Sequence, residues 1–190
     1  MCDTIDLDTH IQDVLGVLQC EDLTDVILCG HSYGGMVING VADRMPQKVR
    51  TLVYLDAVVP ENGVCLMDYL GPEETARFRK AAQQSGDGIR LPPLAARDMK
   101  VNAKDEDWVD RQCVPHPIKT FEQRICLTGA WALVPKHVFV YAADYAPSVF
   151  TPFFERLRSD PAWQTISLAC GHEVMIDMPQ ELAAILLELA

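Results

Sequence analysis

The chain lacks paired cysteines. Its seven, at positions 2, 20, 29, 65, 113, 126 and 170, are odd in number and scattered, with no C-x-x-C spacing. That excludes the usual zinc frameworks and argues against a disulfide scaffold. Several fall in apolar runs, where a reduced cysteine acts as a small hydrophobe, so a reducing, cytoplasmic setting is expected. Net positive charge is also missing. The formal charge is −11, which repels phosphate backbones and anionic lipid and speaks against nucleic-acid or membrane partners. No uncharged apolar run reaches the roughly 18 residues of a membrane span. The opening MCDTIDLDTH has neither a basic n-region nor an apolar h-region, so no signal peptide is expected there. Internal repeats and low-complexity tracts are absent as well.

What is present is core-forming material: 190 residues, 49% of them apolar, enough for one domain or one domain carrying an insertion. Residues 9–20 (THIQDVLGVLQC) place Ile11, Val14, Leu15 and Leu18 at helical spacing, with Thr9 and Gln12 as a candidate capping box. DVILC (25–29) reads as a short buried strand, and a helical pattern runs from Met36 to Arg44 before Pro46. VRTLVYLDAVV (49–59) reads as the next buried strand, completing a βαβ unit. From 61 to 135, charged amphipathic pieces and isolated prolines predict a mostly helical insertion. A strand at 137–144, a helix at 148–160, a strand at 163–170 and a helix at 178–190 follow.

Between DVILC and the next helix stands Gly30-His31-Ser32-Tyr33-Gly34. A serine on a sharp strand-to-helix turn projects its hydroxyl from the end of a sheet, and glycines relieve the crowding there. The following helix N-terminus offers amide groups to a developing oxyanion. His172, just past the last strand, stands where a base would reach across the same end of the sheet. Two aspartates end strands at that end, Asp56 after TLVYL and Asp144 after HVFVYAA. Either could hold the imidazole in its working tautomer, and at least one must be a turn or cap residue. His31 flanks the serine and is a candidate to shape the pocket; His116, in the insertion, is a candidate to line a substrate cavity.

The stretches GHSYGGMVI, LDAVVPENG and CGHEVMIDMPQELAAILLEL resemble the α/β-hydrolase superfamily, in the branch of small carboxylesterases, methyl-ester esterases and hydroxynitrile lyases. The resemblance runs from about residue 6 to the C-terminus. It implies a mainly parallel sheet with flanking helices, a core from 1–60 and 136–190, and a helical cap from 61–135. It implies Ser32 as nucleophile, His172 as base and the amide of Tyr33 as one oxyanion donor. Most relatives take the acid after the strand that follows the cap, where this chain has Asp144 and Tyr145. Some take it after the preceding strand, where this chain has Asp56, the favoured candidate here.

Only 31 residues precede Ser32, whereas the resemblance implies several strands and a second oxyanion amide before the nucleophile. The expected fold is therefore a partial one, N-terminally truncated, with doubtful activity and an exposed sheet edge open to self-association. The expected function is hydrolysis of a small carboxylic ester through an acyl-enzyme, with no metal or organic cofactor. Alternatives are a hydroxynitrile lyase, which would need a cation such as Lys100, Lys104 or Lys119, and a non-catalytic binding protein or remnant. For an ester, Met67, Trp108, Phe121 and Trp131 would suit a small apolar group.

Overall fold

A computed structural model describes residues 4–84 and 87–190; Cys2 lies outside them. The elements in chain order are α1 (Leu7–Cys20), β1 (Val26–His31), α2 (Gly34–Arg44), β2 (Val49–Leu55), α3 (Leu66–Gln84), β3 (Arg90–Leu91), α4 (Glu106–Gln112), β4 (His116–Pro117), α5 (Lys119–Glu122), β5 (Lys136–Ala142), α6 (Thr151–Leu157), β6 (Trp163–Leu168), α7 (Val174–Asp177) and α8 (Pro179–Glu188). Four strands form one parallel sheet in the order β1-β2-β5-β6. Successive residues of a strand face opposite sides, and the sequence loads both sides with apolar groups. Leu52, Tyr54, Phe139 and Tyr141 pack against α1, α2 and α6. Val53, Leu55, Val138 and Val140 pack against Val174 and Leu182 of α7 and α8. A sheet covered on both faces explains why these strands read as continuous apolar runs.

Helix α1 begins two residues earlier than its pattern suggests. Asp6 is the N-cap: its carboxylate accepts the Thr9 amide at 2.9 Å, and the Thr9 hydroxyl accepts the Asp6 amide at 3.3 Å. Thr9 is thus the returning partner of the capping box rather than its first residue. The cap contributes about 1 kcal/mol; burial of Leu7, Ile11, Leu15 and Leu18 contributes about 1.5–3 kcal/mol for each, so packing is what holds this helix. Strand β2 ends at Leu55, short of the expected 59, because Asp56 turns out of the extended conformation at φ +40°. Helix α6 starts at Thr151 rather than 148, with Pro152 in its first turn.

Between β2 and β5 the chain makes a helical layer. Helix α3 kinks where Gly71 takes φ +80° ahead of Pro72, and β3 and β4 form a small antiparallel ribbon. Cys65, Met67, Ala82, Leu91 and Ile118 form one small core there, and Ala96, Met99, Val101 and Val109 another. The layer's far end is tied to α2 through Asp43. This 7%-exposed carboxylate accepts the amides of Thr128 (2.7 Å), Gly129 (2.9 Å) and Trp131 (3.2 Å) and the Thr128 hydroxyl (3.0 Å). Burial alone would raise its pKa, but the donors of Thr128, Trp131 and Gly129 outweigh it and hold Asp43 below the ordinary 3.8.

A lowered folded-state pKa contributes stability above the unfolded value, and that stability is lost as pH falls through the folded value. Asp43→Asn is expected to lower unfolding free energy at pH 7 by about 1–3 kcal/mol. It should also flatten the loss of stability below pH 4, both read by urea denaturation across pH.

Among the described residues every cysteine is free, and no helix is long and apolar enough to cross a membrane. Strand β1 pairs with β2 alone among them, and Cys29 on it is exposed.

Candidate active site

Because the four strands are parallel, their carboxyl ends lie along one edge of the sheet, where loops converge. Ser32 follows β1, Asp56 follows β2, Asp144 follows β5 and His172 follows β6. Backbone bonds carry the ladder past the strand ends: Ser32 N–H donates to Leu55 O (3.2 Å), Asp56 N–H to Val140 O (2.6 Å) and Asp144 N–H to Cys170 O (3.1 Å). The turn residues are therefore fixed to the sheet.

Ser32 adopts φ +56°, a left-handed conformation unfavourable to a side chain and held here by its surroundings. A Cβ on Gly30 would stand 2.5 Å from the Gly34 carbonyl oxygen, and one on Gly35 would collide with the Val58 carbonyl oxygen. Gly34, the second glycine of the five-residue motif, has open space around its Cα. The close approach of α2 to the chain after β2 thus depends on Gly35, one residue beyond the motif. Gly35→Ala is expected to destabilise the fold by about 1–3 kcal/mol through overpacking, read by thermal or urea unfolding; Gly34→Ala should cost less. The turn leaves the amides of Tyr33 and Gly34 at the open N-terminal end of α2.

Of the two aspartates, the structure brings Asp56 to the histidine. His172 Nδ1–H donates to Asp56 Oδ2 at 2.7 Å, and Ala142 N–H donates to Asp56 Oδ1 at 3.3 Å. Both residues are buried, Asp56 completely. Burial lowers the pKa of His172 and raises that of Asp56, the latter partly countered by the Ala142 amide. Burial disfavours charge on the imidazole, so it is neutral. Facing an ionised Asp56, which can only accept, Nδ1 carries the proton and the Nε2 lone pair is free. Among the described residues the Asp144 carboxylate makes no hydrogen bond to His172; its backbone carbonyl accepts the Lys100 amine at 2.7 Å.

The imidazole of His172 is held between aromatic faces. Tyr145 stacks on it at 4.9 Å and 25°, Phe150 at 4.9 Å and 9°, and the His31 ring lies 4.4 Å away. Its backbone amide donates to Met99 O at 2.9 Å. Asp177 accepts the amides of Gly171 (3.0 Å) and Asn102 (3.0 Å), which ties the histidine loop to the helical layer.

Ser32, His31 and His172 line one cavity of about 830 Å³. Its walls are mainly apolar and aromatic, including Tyr69, Phe78, Phe121 and Phe150, with Arg77 paired to Glu74 at 2.6 Å. Lys100 also lines it. His116 does not border this cavity. It packs behind it, its ring 5.3 Å from Tyr33 and its Nε2 2.7 Å from the Thr120 hydroxyl. Of the four apolar side chains expected to suit a substrate, Phe121 lines the cavity, Met67 is buried in the layer's own core, Trp131 packs on His137 and Trp108 is 49% exposed. Tyr69, Phe78, Tyr145 and Phe150 carried no signal in the sequence beyond being aromatic.

A sequence model of the alpha/beta hydrolase family matches residues 3–185. The chain is 46% identical over 189 residues to a carbendazim hydrolyzing esterase of Nocardioides sp. (strain SG-4G), with 95% of this chain and 78% of that protein covered. Among solved structures, an extracellular alpha/beta-hydrolase from a Paenibacillus species superposes with TM-score 0.84 at 19% identity, covering 100% of this chain and 81% of that one. A pyrethroid hydrolase from Sphingobium faniae JZ-2 superposes with TM-score 0.73 at 21% identity, covering 97% and 78%.

Proposed function

The chain belongs to the alpha/beta hydrolase family, and from that premise we propose that it hydrolyses carboxylic esters through an acyl group carried on Ser32. The observation that carries this reading is the 2.7 Å bond from His172 Nδ1 to Asp56, at the wall of the cavity that Ser32 also lines. The 46% identical esterase supports the same class of reaction.

Ser32 Oγ attacks the acyl carbon while its proton passes to His172 Nε2. Asp56 keeps Nδ1 protonated and stabilises the imidazolium that forms. The carbonyl electrons move onto oxygen, and the Tyr33 amide at the end of α2 donates to that oxyanion. Collapse expels the alcohol, which takes the proton from Nε2. Water then repeats the sequence on the acyl-serine, yielding the acid and free Ser32. The strained turn at Ser32 and the rings clamping His172 fix both groups before substrate arrives, which is the condition for such catalysis.

Pre-steady-state mixing with p-nitrophenyl acetate tests this reading, with carbendazim turnover assayed alongside. A release of p-nitrophenol that approaches one equivalent per chain, followed by slower turnover, is expected. No release from p-nitrophenyl acetate and no turnover of carbendazim by the folded chain would refute it.

A further inference from the structure

The turn after β1 and the loop before α7 also assemble a set of possible metal ligands. One ligand atom from each of His31, His172 and Glu173 lies within 4.8 Å of the other two, and all three residues line the cavity. Hydrogen bonds decide which imidazole nitrogens are free. His31 Nε2–H donates to the His172 carbonyl oxygen at 2.9 Å. A carbonyl only accepts, so in the neutral His31 ring Nδ1 keeps its lone pair. His172 commits Nδ1–H to Asp56, so Nε2 keeps its own. Glu173 sets a carboxylate 4.0 Å from His31 Nδ1, and among the described residues no lysine or arginine lies within that distance to neutralise it.

We infer that His31, His172 and Glu173 bind a divalent transition cation of the zinc class, and that the bound ion switches hydrolysis off. Two neutral imidazoles and a carboxylate make an N₂O set suited to zinc, with a fourth position left for water. Bonds of about 2.0–2.2 Å place tetrahedral ligand atoms about 3.3 Å apart. Most of the closing, up to about 1.5 Å, therefore falls to the Glu173 side chain, which can rotate at the open cavity while the two imidazoles keep their hydrogen bonds. Asp56 behind His172, and the His172 carbonyl behind His31, are the outer partners that fix the tautomer and aim of a metal-bound imidazole. Sequence spacing could not show this set, because His31 and His172 are 141 positions apart. The inhibitory consequence rests on the proposed role of His172, whose Nε2 lone pair would be occupied; binding itself does not.

Calorimetric titration of the Ser32→Ala chain with zinc chloride reads binding without any hydrolysis. One equivalent is expected to bind, weakened at least 10-fold by adding Glu173→Gln or His31→Gln, and about 10–100-fold by adding Asp56→Asn. In the unsubstituted chain, zinc is expected to suppress turnover of p-nitrophenyl acetate reversibly on chelation. The Glu173→Gln chain should need at least 10-fold more zinc for the same fractional loss of its own rate. No binding to the folded Ser32→Ala chain, or binding that ignores both Glu173→Gln and His31→Gln as zinc held by cysteines would, overturns the inference. The calorimetric result stands whether or not the chain hydrolyses esters.

Discussion

Ser32→Ala is expected to lower kcat/KM for p-nitrophenyl acetate by at least about 10⁴-fold while leaving the unfolding midpoint close to that of the unsubstituted chain. The fall is large because the proposed reaction passes through a covalent bond to this one oxygen. Whatever rate remains would come from binding and the oxyanion amide alone. The fold should survive because alanine at φ +56° carries the same Cβ crowding that serine already bears. Activity within about tenfold of the unsubstituted chain would place the nucleophile elsewhere.

Asp56→Asn is expected to lower kcat by about 10⁴-fold, as loss of the orienting carboxylate does in serine-protease triads. The mechanism is a tautomer switch. An asparagine carbonyl can still accept from the Ala142 amide, but its NH₂ group would face His172 Nδ1 and donate to it. The ring proton then moves to Nε2, which can no longer take a proton from Ser32. Asp144→Asn is the contrast: its side chain is not bonded to His172, and kcat should change little. Kinetics of the two variants, with circular dichroism to show that both fold, separate orientation of the base from general acidity at the sheet edge. Equal losses in the two, or a larger loss at Asp144, would contradict the assignment of Asp56.

Much of this site could be read from the chain because its parts sit at places that local pattern marks. Strand-like runs ending in Ser32, Asp56, Asp144 and a residue near His172 must deliver those residues to one edge if the strands are parallel, and they are. The choice between Asp56 and Asp144 was not legible from periodicity. It depends on how far each turn reaches towards His172, and only the β2 turn, with φ +40° at Asp56, carries its carboxylate there. The clamp of Tyr145 and Phe150 on His172 was invisible for a related reason. Stacking is set by loops after β5 whose aromatic residues carry no period. The motif also pointed to Gly34, whereas the contact with Val58 falls on Gly35, because tight packing is decided by a partner strand's turn and not by the spacing of glycines. The Asp43 tie to residues 128–131 joins segments some 85 positions apart, beyond any local signal.

The central claim is that the hydroxyl on the turn after β1 is activated by the histidine that Asp56 orients. Its most direct measurement is covalent: treat the chain with a p-nitrophenyl phosphonate ester, which phosphonylates an activated serine, and map the adduct by peptide mass spectrometry. One adduct per chain is expected, on the peptide containing Ser32, absent in Ser32→Ala and formed far more slowly in Asp56→Asn. An adduct on another residue, or none on the folded chain while ester hydrolysis continues, would contradict it.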